Sequence, residues 1–341
     1  VLDLPQQAPA TRLPDGIAPS GYRINLAIDP REDDFSGEVE IDITLAASAH
    51  FIWMHGNNLD VTNAEAVLAD GQRIALGWEQ VEPFGVAQVT PEKPLPAGSA
   101  TLVFSYQAPF NTSLEGLYKV NQGGDSYAYT QFEATSARLA FPSFDEPAFK
   151  VPFDVSLTVP SEFTGIANGP LVKETPAANG QKTLHFATTP PLPTYLIAFA
   201  VGPFDVVEWA PVPASTLRPE PLPMRGVTTR GKGEQIRFAL ENTAPILLEM
   251  EDYFAAPHPY AKLDLIAVPD FGSGAMENAG AITYREQLIL MDESASVNQK
   301  RSFFYVHAHE LAHQWFGNLV TPVWWDDIWL NESFATWNAY M

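Results

Sequence analysis

An alternation of apolar and polar residues with a period of two, repeated over about the first 200 positions, most limits how this chain can fold. The alternation is clear over residues 22–28 and again over 39–45. It is typical of strands that bury one face. Gly/Pro turn clusters separate further candidate strands at 101–106, 127–132, 153–159 and 194–201. We therefore predict an N-terminal all-β domain, a saddle-shaped sheet or a sandwich.

The composition changes after Phe204, where prolines become dense. Five of them crowd one short stretch: Pro211, Pro213, Pro219, Pro221 and Pro223. We place a domain boundary near Glu208, because Pro-rich stretches punctuate regular structure. The predicted organisation is a loose leader over 1–19, a β domain over 20–208 and a second domain over 209–341.

The second domain reads as mixed helix and strand, which makes the whole chain α+β. Apolar residues recur at helical spacing from Ile236 to Met250, and Pro245 predicts a kink or a break in that helix. Further helices are predicted over 299–316 and from 328 onward, and strands at 263–268 and 281–284.

Charge and composition exclude several partners. The net charge is −22, with 41 acidic against 19 basic residues, so the chain repels phosphate backbones and nucleic acid is not an expected partner. No apolar run is long enough to predict a membrane span. Cysteine is absent, which excludes disulfides and thiolate ligands. It leaves the compartment open, and we favour a periplasmic or secreted location over the cytoplasm.

The segment His309-Glu310-Leu311-Ala312-His313 is an H-E-x-x-H motif. On a helix, positions i and i+4 lie on one face, so both imidazoles can reach one metal ion. By itself the pattern also fits two ordinary histidines on a helix. A catalytic zinc site needs a third protein ligand and one open position. Glu332, on the next predicted helix, is the candidate for that ligand, and Glu310 is the candidate general base.

The other histidines are weaker candidates. His307 precedes the motif by two residues, and positions i and i+2 face apart on a helix, so we interpret it as a flanking residue. We expect structural or solvated roles for the rest: His50, His55, His185 and His258.

A glycine-rich turn, Gly272 to Gly280, carries Glu277. Bare backbone at such a turn can approach a ligand closely, and the carboxylate could pair with an ammonium group. A hairpin turn with a solvated glutamate is the alternative interpretation.

Taken together, Gly274-Ala275-Met276-Glu277-Asn278, the H-E-x-x-H motif and Asn331-Glu332 resemble the aminopeptidase N family of zinc metallopeptidases, the gluzincins that include the leukotriene hydrolases. The resemblance continues through other segments: Ile282-Thr283-Tyr284-Arg285-Glu286, Gln314-Trp315-Phe316-Gly317-Asn318, Gln131-Phe132-Glu133 and Phe141-Pro142-Ser143-Phe144-Asp145-Glu146-Pro147. It covers nearly the whole chain.

The resemblance implies an N-terminal β-saddle domain, a thermolysin-like zinc catalytic domain and a Zn-dependent aminopeptidase. His309, His313 and Glu332 would bind zinc, and Glu310 would be the catalytic base. Glu277, helped by Glu133 and Gln131, would bind the free amino group of a peptide substrate. Gly274 and Ala275 would line the peptide backbone.

Two departures from the family pattern affect these expectations. Thermolysin-type enzymes place an aspartate four residues after the glutamate ligand to orient a histidine; here that position is Thr336, so we expect the supporting group to come from elsewhere. The family's transition-state tyrosine lies beyond Met341. We therefore expect the chain to be a fragment that is weak or inactive alone.

Three alternatives remain open at this point. A thermolysin-type endopeptidase fits the H-E-x-x-H motif, although Glu277 argues against it because an internal peptide offers no ammonium group. An epoxide hydrolase would follow the leukotriene hydrolases. A β domain with a zinc site that no longer turns over would make the chain a binding module. The preferred N-terminal residue, the oligomeric state and the physiological substrate do not follow from the sequence.

Overall fold

The computed structural model of the chain describes residues 1–292 and 294–341. Within these residues the strands, in chain order, are β1 (Ile17–Ala27), β2 (Asp34–Leu45), β3 (Ile52–His55), β4 (Asp60–Leu68), β5 (Arg73–Gln80), β6 (Val86–Pro91), β7 (Gly98–Pro109), β8 (Gly116–Gln122), β9 (Asp125–Gln131), β10 (Phe153–Pro160), β11 (Thr164–Ala167), β12 (Leu171–Pro176), β13 (Gln181–Phe186), β14 (Phe199–Gly202), β15 (Asp205–Val212), β16 (Leu222–Thr228), β17 (Leu263–Val268), β18 (Ala275–Met276) and β19 (Ala281–Arg285).

The helices all lie in the C-terminal part of the described chain. They are α1 (Arg237–Phe254), α2 (Glu286–Ile289), α3 (Val297–His313) and α4 (Ile328–Asn338). Short 3₁₀ turns occur at Ala137–Leu139, Thr194–Leu196, Gly233–Ile236 and Trp325–Asp327. An N-terminal β part followed by a mixed part with helices confirms the predicted α+β class. No helix among the described residues is long and apolar enough to cross a membrane.

The chain divides into two compact units. The first unit consists of Val1–Tyr118, Thr130–Ser161 and Val172–Tyr195, and the second of Lys119–Tyr129, Glu162–Leu171 and Leu196–Met341. The second unit thus includes two short segments that precede residue 196. The boundary near Glu208 and the leader over 1–19 stay predictions.

A ten-stranded sheet forms the first unit, in the order β12-β13-β10-β1-β2-β7-β4-β5-β6-β3. β1 pairs antiparallel with β2 and parallel with β10. The period-two pattern has the expected result: Ile24, Leu26, Val39 and Ile41 are at most 1% exposed. Arg23, at an intervening position, instead forms ion pairs with carboxylates of β2. Burial of one face therefore sets the register of these strands.

The second unit contains two smaller sheets, ordered β11-β14-β9-β8 and β15-β16-β17-β19-β18. In the five-stranded sheet, β16, β17 and β19 run parallel to one another. All six residues of β17 are buried, as is typical of a parallel strand covered on both faces. Apolar residues of α1 and α3 belong to the same buried cluster as residues of these strands, including Leu240, Leu265 and Leu311.

Two secondary-structure predictions are wrong in part. Residues 194–201 were expected to be one strand, but Thr194–Leu196 forms a 3₁₀ turn and only Phe199–Gly202 is a strand. Pro245 does not break α1, which is continuous from Arg237 to Phe254. Pro245 and Glu241, whose carbonyl loses its helical partner, both lie on the exposed face. Water can therefore bond that carbonyl at little cost.

Candidate metal centre

Helix α3 carries both histidines of the motif on one face. The helix begins after Ser296, whose hydroxyl accepts a hydrogen bond from the amide of Gln299 at 3.2 Å, as an N-cap residue does. Near its C-terminal end, Nε2 of His309 lies 2.9 Å from Nε2 of His313. The helical repeat thus brings two potential nitrogen ligands together, as the sequence predicts.

Helix α4 adds the carboxylate of Glu332. Its Oε2 lies 3.2 Å from Nε2 of His309, and its Oε1 lies 3.6 Å from Nε2 of His313. The His313 side chain is 1% exposed, whereas that of Glu332 is 46% exposed. The site is therefore buried on the α3 side and open on the α4 side.

A tight turn after α3 lets α4 return to the histidines. Gly317 adopts a φ of +124°, where residues with a side chain are strained. A Cβ atom at Gly317 would lie 3.2 Å from Nδ1 of His313. The hydroxyl of Thr321 donates to the carbonyl of Gly317 at 2.7 Å and closes the turn. Only glycine allows the chain to reverse this close to the second histidine.

The three side chains fit a zinc ion. Zinc–nitrogen and zinc–oxygen bonds of about 2.0–2.1 Å place ligand atoms about 3.3 Å apart along the edges of a tetrahedron. Nε2 of His309 and Nε2 of His313 lie 2.9 Å apart, and the two oxygens of Glu332 lie 3.2 Å from the first and 3.6 Å from the second, so each contact is close to that value. Two imidazoles and one carboxylate leave one tetrahedral position open, which is the arrangement of a catalytic rather than a structural zinc site.

Charge at the site also favours a cation. Burial lowers the pKa of His313, but the carboxylates of Glu277, Glu332 and Glu310 outweigh it and raise that pKa to about 10. Hydrogen bonds from His309 and His313 hold the pKa of Glu332 well below its ordinary range. Three carboxylates thus act on the buried His313 imidazole, and a divalent cation would balance their charge.

In each of His309 and His313, the ring nitrogen that does not face the other histidine is Nδ1, and this nitrogen has a partner. Nδ1 of His313 lies 2.9 Å from the carbonyl oxygen of Phe316, so it donates its proton there, and Nε2 is the nitrogen that would bind a metal in exchange for its proton. Nδ1 of His309 lies 3.4 Å from the hydroxyl of Thr336. Our expectation that the supporting group comes from elsewhere was wrong. Thr336 lies one turn after Glu332 on the same face of α4, where a hydroxyl takes the place of an aspartate.

His307 does not face the metal ligands. Its ring is fully buried, with Nδ1 2.8 Å from the hydroxyl of Tyr284 and Nε2 2.9 Å from the hydroxyl of Thr243. The Thr243 hydroxyl donates to the carbonyl of Ala239 at 2.7 Å, so it accepts from Nε2 of His307. Burial lowers the pKa of His307 to about 3. It is a neutral flanking histidine that links α3 to α1 and β19.

Glu310 lies beside His309 in the sequence and is 5% exposed. Its charge acts on His313, whose pKa it helps to raise, and on the hydroxyl of Tyr284. Glu310 is thus a buried carboxylate whose charge is felt at His313, and its role as a general base stays a prediction.

Glu277 is 3% exposed, and its Oε1 makes no hydrogen bond within the described part of the chain. That oxygen lies 3.9 Å from Nδ1 of His313. A buried carboxylate oxygen without a hydrogen-bond donor is costly unless a ligand supplies one. The solvated hairpin that the sequence left open is therefore wrong for Glu277.

Gly274 and Ala275 lie where the glycine-rich turn enters the sheet. Ala275 pairs with Tyr284 in the antiparallel β18–β19 ladder, and the carbonyl of Gly274 accepts from the amide of Arg285 at 2.9 Å. β18 is the edge strand of the five-stranded sheet. An edge strand has backbone groups available to an extended peptide.

Gln131 and Glu133 belong to the first unit. Gln131 ends β9 and is 6% exposed, and Glu133 is half-buried just after it. Their role beside Glu277 stays a prediction.

Comparisons with known proteins identify the family of the chain. Residues 18–196 match the peptidase M1 N-terminal domain, and residues 238–341 match the peptidase family M1 domain. The chain belongs to peptidase family M1.

Three relatives illustrate the similarity. Aminopeptidase M1-A of Oryza sativa subsp. japonica is 40% identical over 354 residues, covering 97% of this chain and 38% of the relative. Puromycin-sensitive aminopeptidase of Caenorhabditis elegans is 36% identical, covering 97% and 35%. Endoplasmic reticulum aminopeptidase 1 of Homo sapiens is also 36% identical, covering 97% and 35%. The chain thus spans little more than a third of the length of these relatives.

Sequence analysis named Thr336 but did not expect it to support His309, and it missed the Tyr284 and Thr243 hydroxyls around His307 and the roles of the Gln314 and Asn318 amides. The last two were noticed only as part of the family resemblance. Their roles depend on contacts across 23 to 64 positions of sequence, for which the local pattern carries no signal.

Proposed function

We propose that this chain carries the metal site of a zinc-dependent aminopeptidase, which removes N-terminal residues from peptides. The observation that carries the proposal is the cluster of His309, His313 and Glu332, whose ligand atoms lie within 4.8 Å of one another and form the two-imidazole, one-carboxylate set of a catalytic zinc site. The relatives named above are aminopeptidases, which supports the same reaction class.

In this proposal His309, His313 and Glu332 hold the zinc. When bound, zinc supplies Lewis acidity toward the scissile carbonyl and lowers the pKa of water to about 7. Glu310 accepts a proton from the attacking water and later delivers it to the nitrogen of the leaving amine. Its burial beside His309 and its effect on His313 support this role.

Glu277 would select the N-terminus of the substrate. An ammonium group is a donor that suits its buried, unbonded Oε1, and an internal peptide bond offers no such group. Gln131 and Glu133 are proposed to assist with further hydrogen bonds to the amine. Gly274 and Ala275, at the edge strand β18, would lie along the peptide backbone. Binding the ammonium would place the first peptide bond, and no other, at the metal.

The test pairs metal analysis with a substrate panel. We expect elemental analysis to find about one zinc per chain, and the full natural protein to cleave L-leucine para-nitroanilide but not its N-acetyl derivative. Zinc with equal cleavage of both substrates would favour an endopeptidase. Zinc without turnover of free-amine reporters that carry any first residue would favour a binding module. Absence of zinc from the purified protein after reconstitution would overturn the site itself.

Glu310→Gln tests the base separately from the metal. The amide is isosteric but cannot accept the proton of water, so turnover should fall by about 10²–10⁴-fold while zinc content stays unchanged. Retained turnover would remove Glu310 from the mechanism.

A further inference from the structure

Two side-chain amides hold the backbone of Glu277. Its carbonyl oxygen accepts one hydrogen bond from Nε2 of Gln314 at 3.0 Å and another from Nδ2 of Asn318 at 2.8 Å. Both amide side chains are fully buried. One hydrogen bond is enough to satisfy a buried carbonyl oxygen. The second donor therefore restricts the position of the Glu277 backbone further.

Gln314 also bonds to the end of the same turn. Its Oε1 accepts from the amide of Gly280 at 3.2 Å, and its Nε2 lies 3.3 Å from the carbonyl of Glu310. The amide orientation follows from these partners, because the oxygen must face an N–H and the nitrogen must face carbonyls. One side chain thus connects both ends of the segment 277–280 to the last turn of α3.

These contacts tie Glu277 to the metal ligands. Gln314 directly follows His313, and Asn318 lies in the tight turn at Gly317, so both amides are rigidly attached to the second histidine. Displacing the glycine-rich turn along α3 would leave buried polar groups unbonded, which costs free energy for each group. The position of Glu277 relative to His313 is therefore set by this pair of amides.

We propose that Gln314 and Asn318 are positioning residues that set the distance from the metal to the Glu277 carboxylate, and with it the selectivity for substrates with a free amino group. This inference rests on the proposed aminopeptidase function. Neither amide touches the reacting atoms; each acts through the backbone of Glu277.

The turn has other supports, so it should survive loss of one amide. Nδ2 of Asn168 donates to the carbonyl of Ala279 at 3.0 Å, and Nζ of Lys262 donates to the carbonyl of Gly280 at 2.9 Å. We therefore expect removal of one amide to shift Glu277 rather than to unfold the turn.

The experiment compares Gln314→Leu, Asn318→Asp and Glu277→Gln in the full natural protein. Gln314→Leu removes its bonds to the turn, and Asn318→Asp turns a donor into an acceptor of the same shape. For L-leucine para-nitroanilide we expect KM to rise by about tenfold in both amide variants, since tenfold corresponds to one hydrogen bond of ordinary strength. Zinc content should stay at the wild-type value, and kcat should change less than KM.

The N-acetyl substrate measures selectivity. We expect the ratio of kcat/KM for the free substrate to that for the acetylated substrate to fall in both amide variants, as it does in Glu277→Gln. Asn242→Leu is the matched control, because the Asn242 amide also donates to a carbonyl, that of Phe238 at 2.7 Å, but lies on α1 away from the turn. It should leave the ratio unchanged.

The outcomes separate the two proposals. If Glu277→Gln lowers the ratio but both amide variants keep it, the positioning role is wrong and the aminopeptidase proposal stands. If both amide variants instead lose zinc, the amides support the metal helix rather than Glu277, and the inference is overturned. If Glu277→Gln itself keeps the ratio, the proposed amine site fails, whatever the amide variants do.

Discussion

Nδ1 of His309 lies 3.4 Å from the hydroxyl oxygen of Thr336, one helical turn after Glu332 on α4. The same short helix therefore carries one proposed metal ligand and the hydroxyl that contacts another. A hydrogen bond to the outer nitrogen of a histidine ligand fixes its tautomer and ring orientation.

Thr336→Val keeps the shape of the side chain but removes this hydroxyl. We expect zinc affinity to fall by about tenfold, the lower end of the range for loss of such a partner. The dissociation constant, measured by competition with a colorimetric chelator, checks this. Thr336→Ser keeps the hydroxyl and should bind zinc as the natural protein does. Equal affinities for the valine and serine variants would show that the contact does not support the metal.

The buried ring of His307 allows a test of stability. His307→Phe fills the space and keeps the contact with Phe303, whose ring stacks on His307 with centroids 4.9 Å apart. It leaves the Tyr284 hydroxyl without its acceptor, so we expect the free energy of unfolding in urea to fall by about 2 kcal/mol. Adding Tyr284→Phe to the same chain removes the unpaired hydroxyl and should recover part of that loss. Additive losses would contradict a direct hydrogen bond between the two side chains.

Gly317→Ala tests the tight turn. The new Cβ atom would lie 3.2 Å from Nδ1 of His313 at a φ of +124°, so we expect both lower stability and weaker zinc binding. Gly98→Ala is the matched control, because Gly98 has a φ of +114° and open space around it. It should lose about 1–3 kcal/mol of stability through backbone strain alone, with zinc binding unchanged. Zinc affinity that stays at the natural value in Gly317→Ala would contradict the crowding argument.

His258 predicts a pH dependence of stability. Burial lowers its pKa to about 4, below the unfolded value of about 6.5, so protonation favours the unfolded chain. The contribution of the neutral His258 ring to the free energy of unfolding is fully present above pH 6.5 and is lost as the pH falls toward 4. The loss amounts to about 3 kcal/mol. Urea unfolding of the natural protein and of His258→Phe, from pH 7 to 4, checks this: the variant should lose less stability on acidification. Identical pH curves would exclude His258 as the source.

Local patterns of the sequence predicted much of the fold because they act over a few residues. Alternation placed β1 and β2 at the correct segments, since burying one face of a strand requires it, and the candidate strands between turn clusters at 101–106 and 153–159 lie within β7 and β10. The pattern was misleading at residues 194–201, an apolar segment that includes a turn. It also misjudged Pro245, where exposure of the neighbouring carbonyl decided the outcome.

The sequence by itself determined the two histidines of the site, because the helical repeat places positions i and i+4 on one face whatever surrounds them. It also marked Glu332 and Glu277 as candidates through their motifs. Only the tertiary structure decided that Glu332 reaches both histidines, that Thr336 supports His309, and that Gln314 and Asn318 hold Glu277. These relationships join different elements, and their geometry depends on the turn at Gly317 and on packing, neither of which a local pattern encodes.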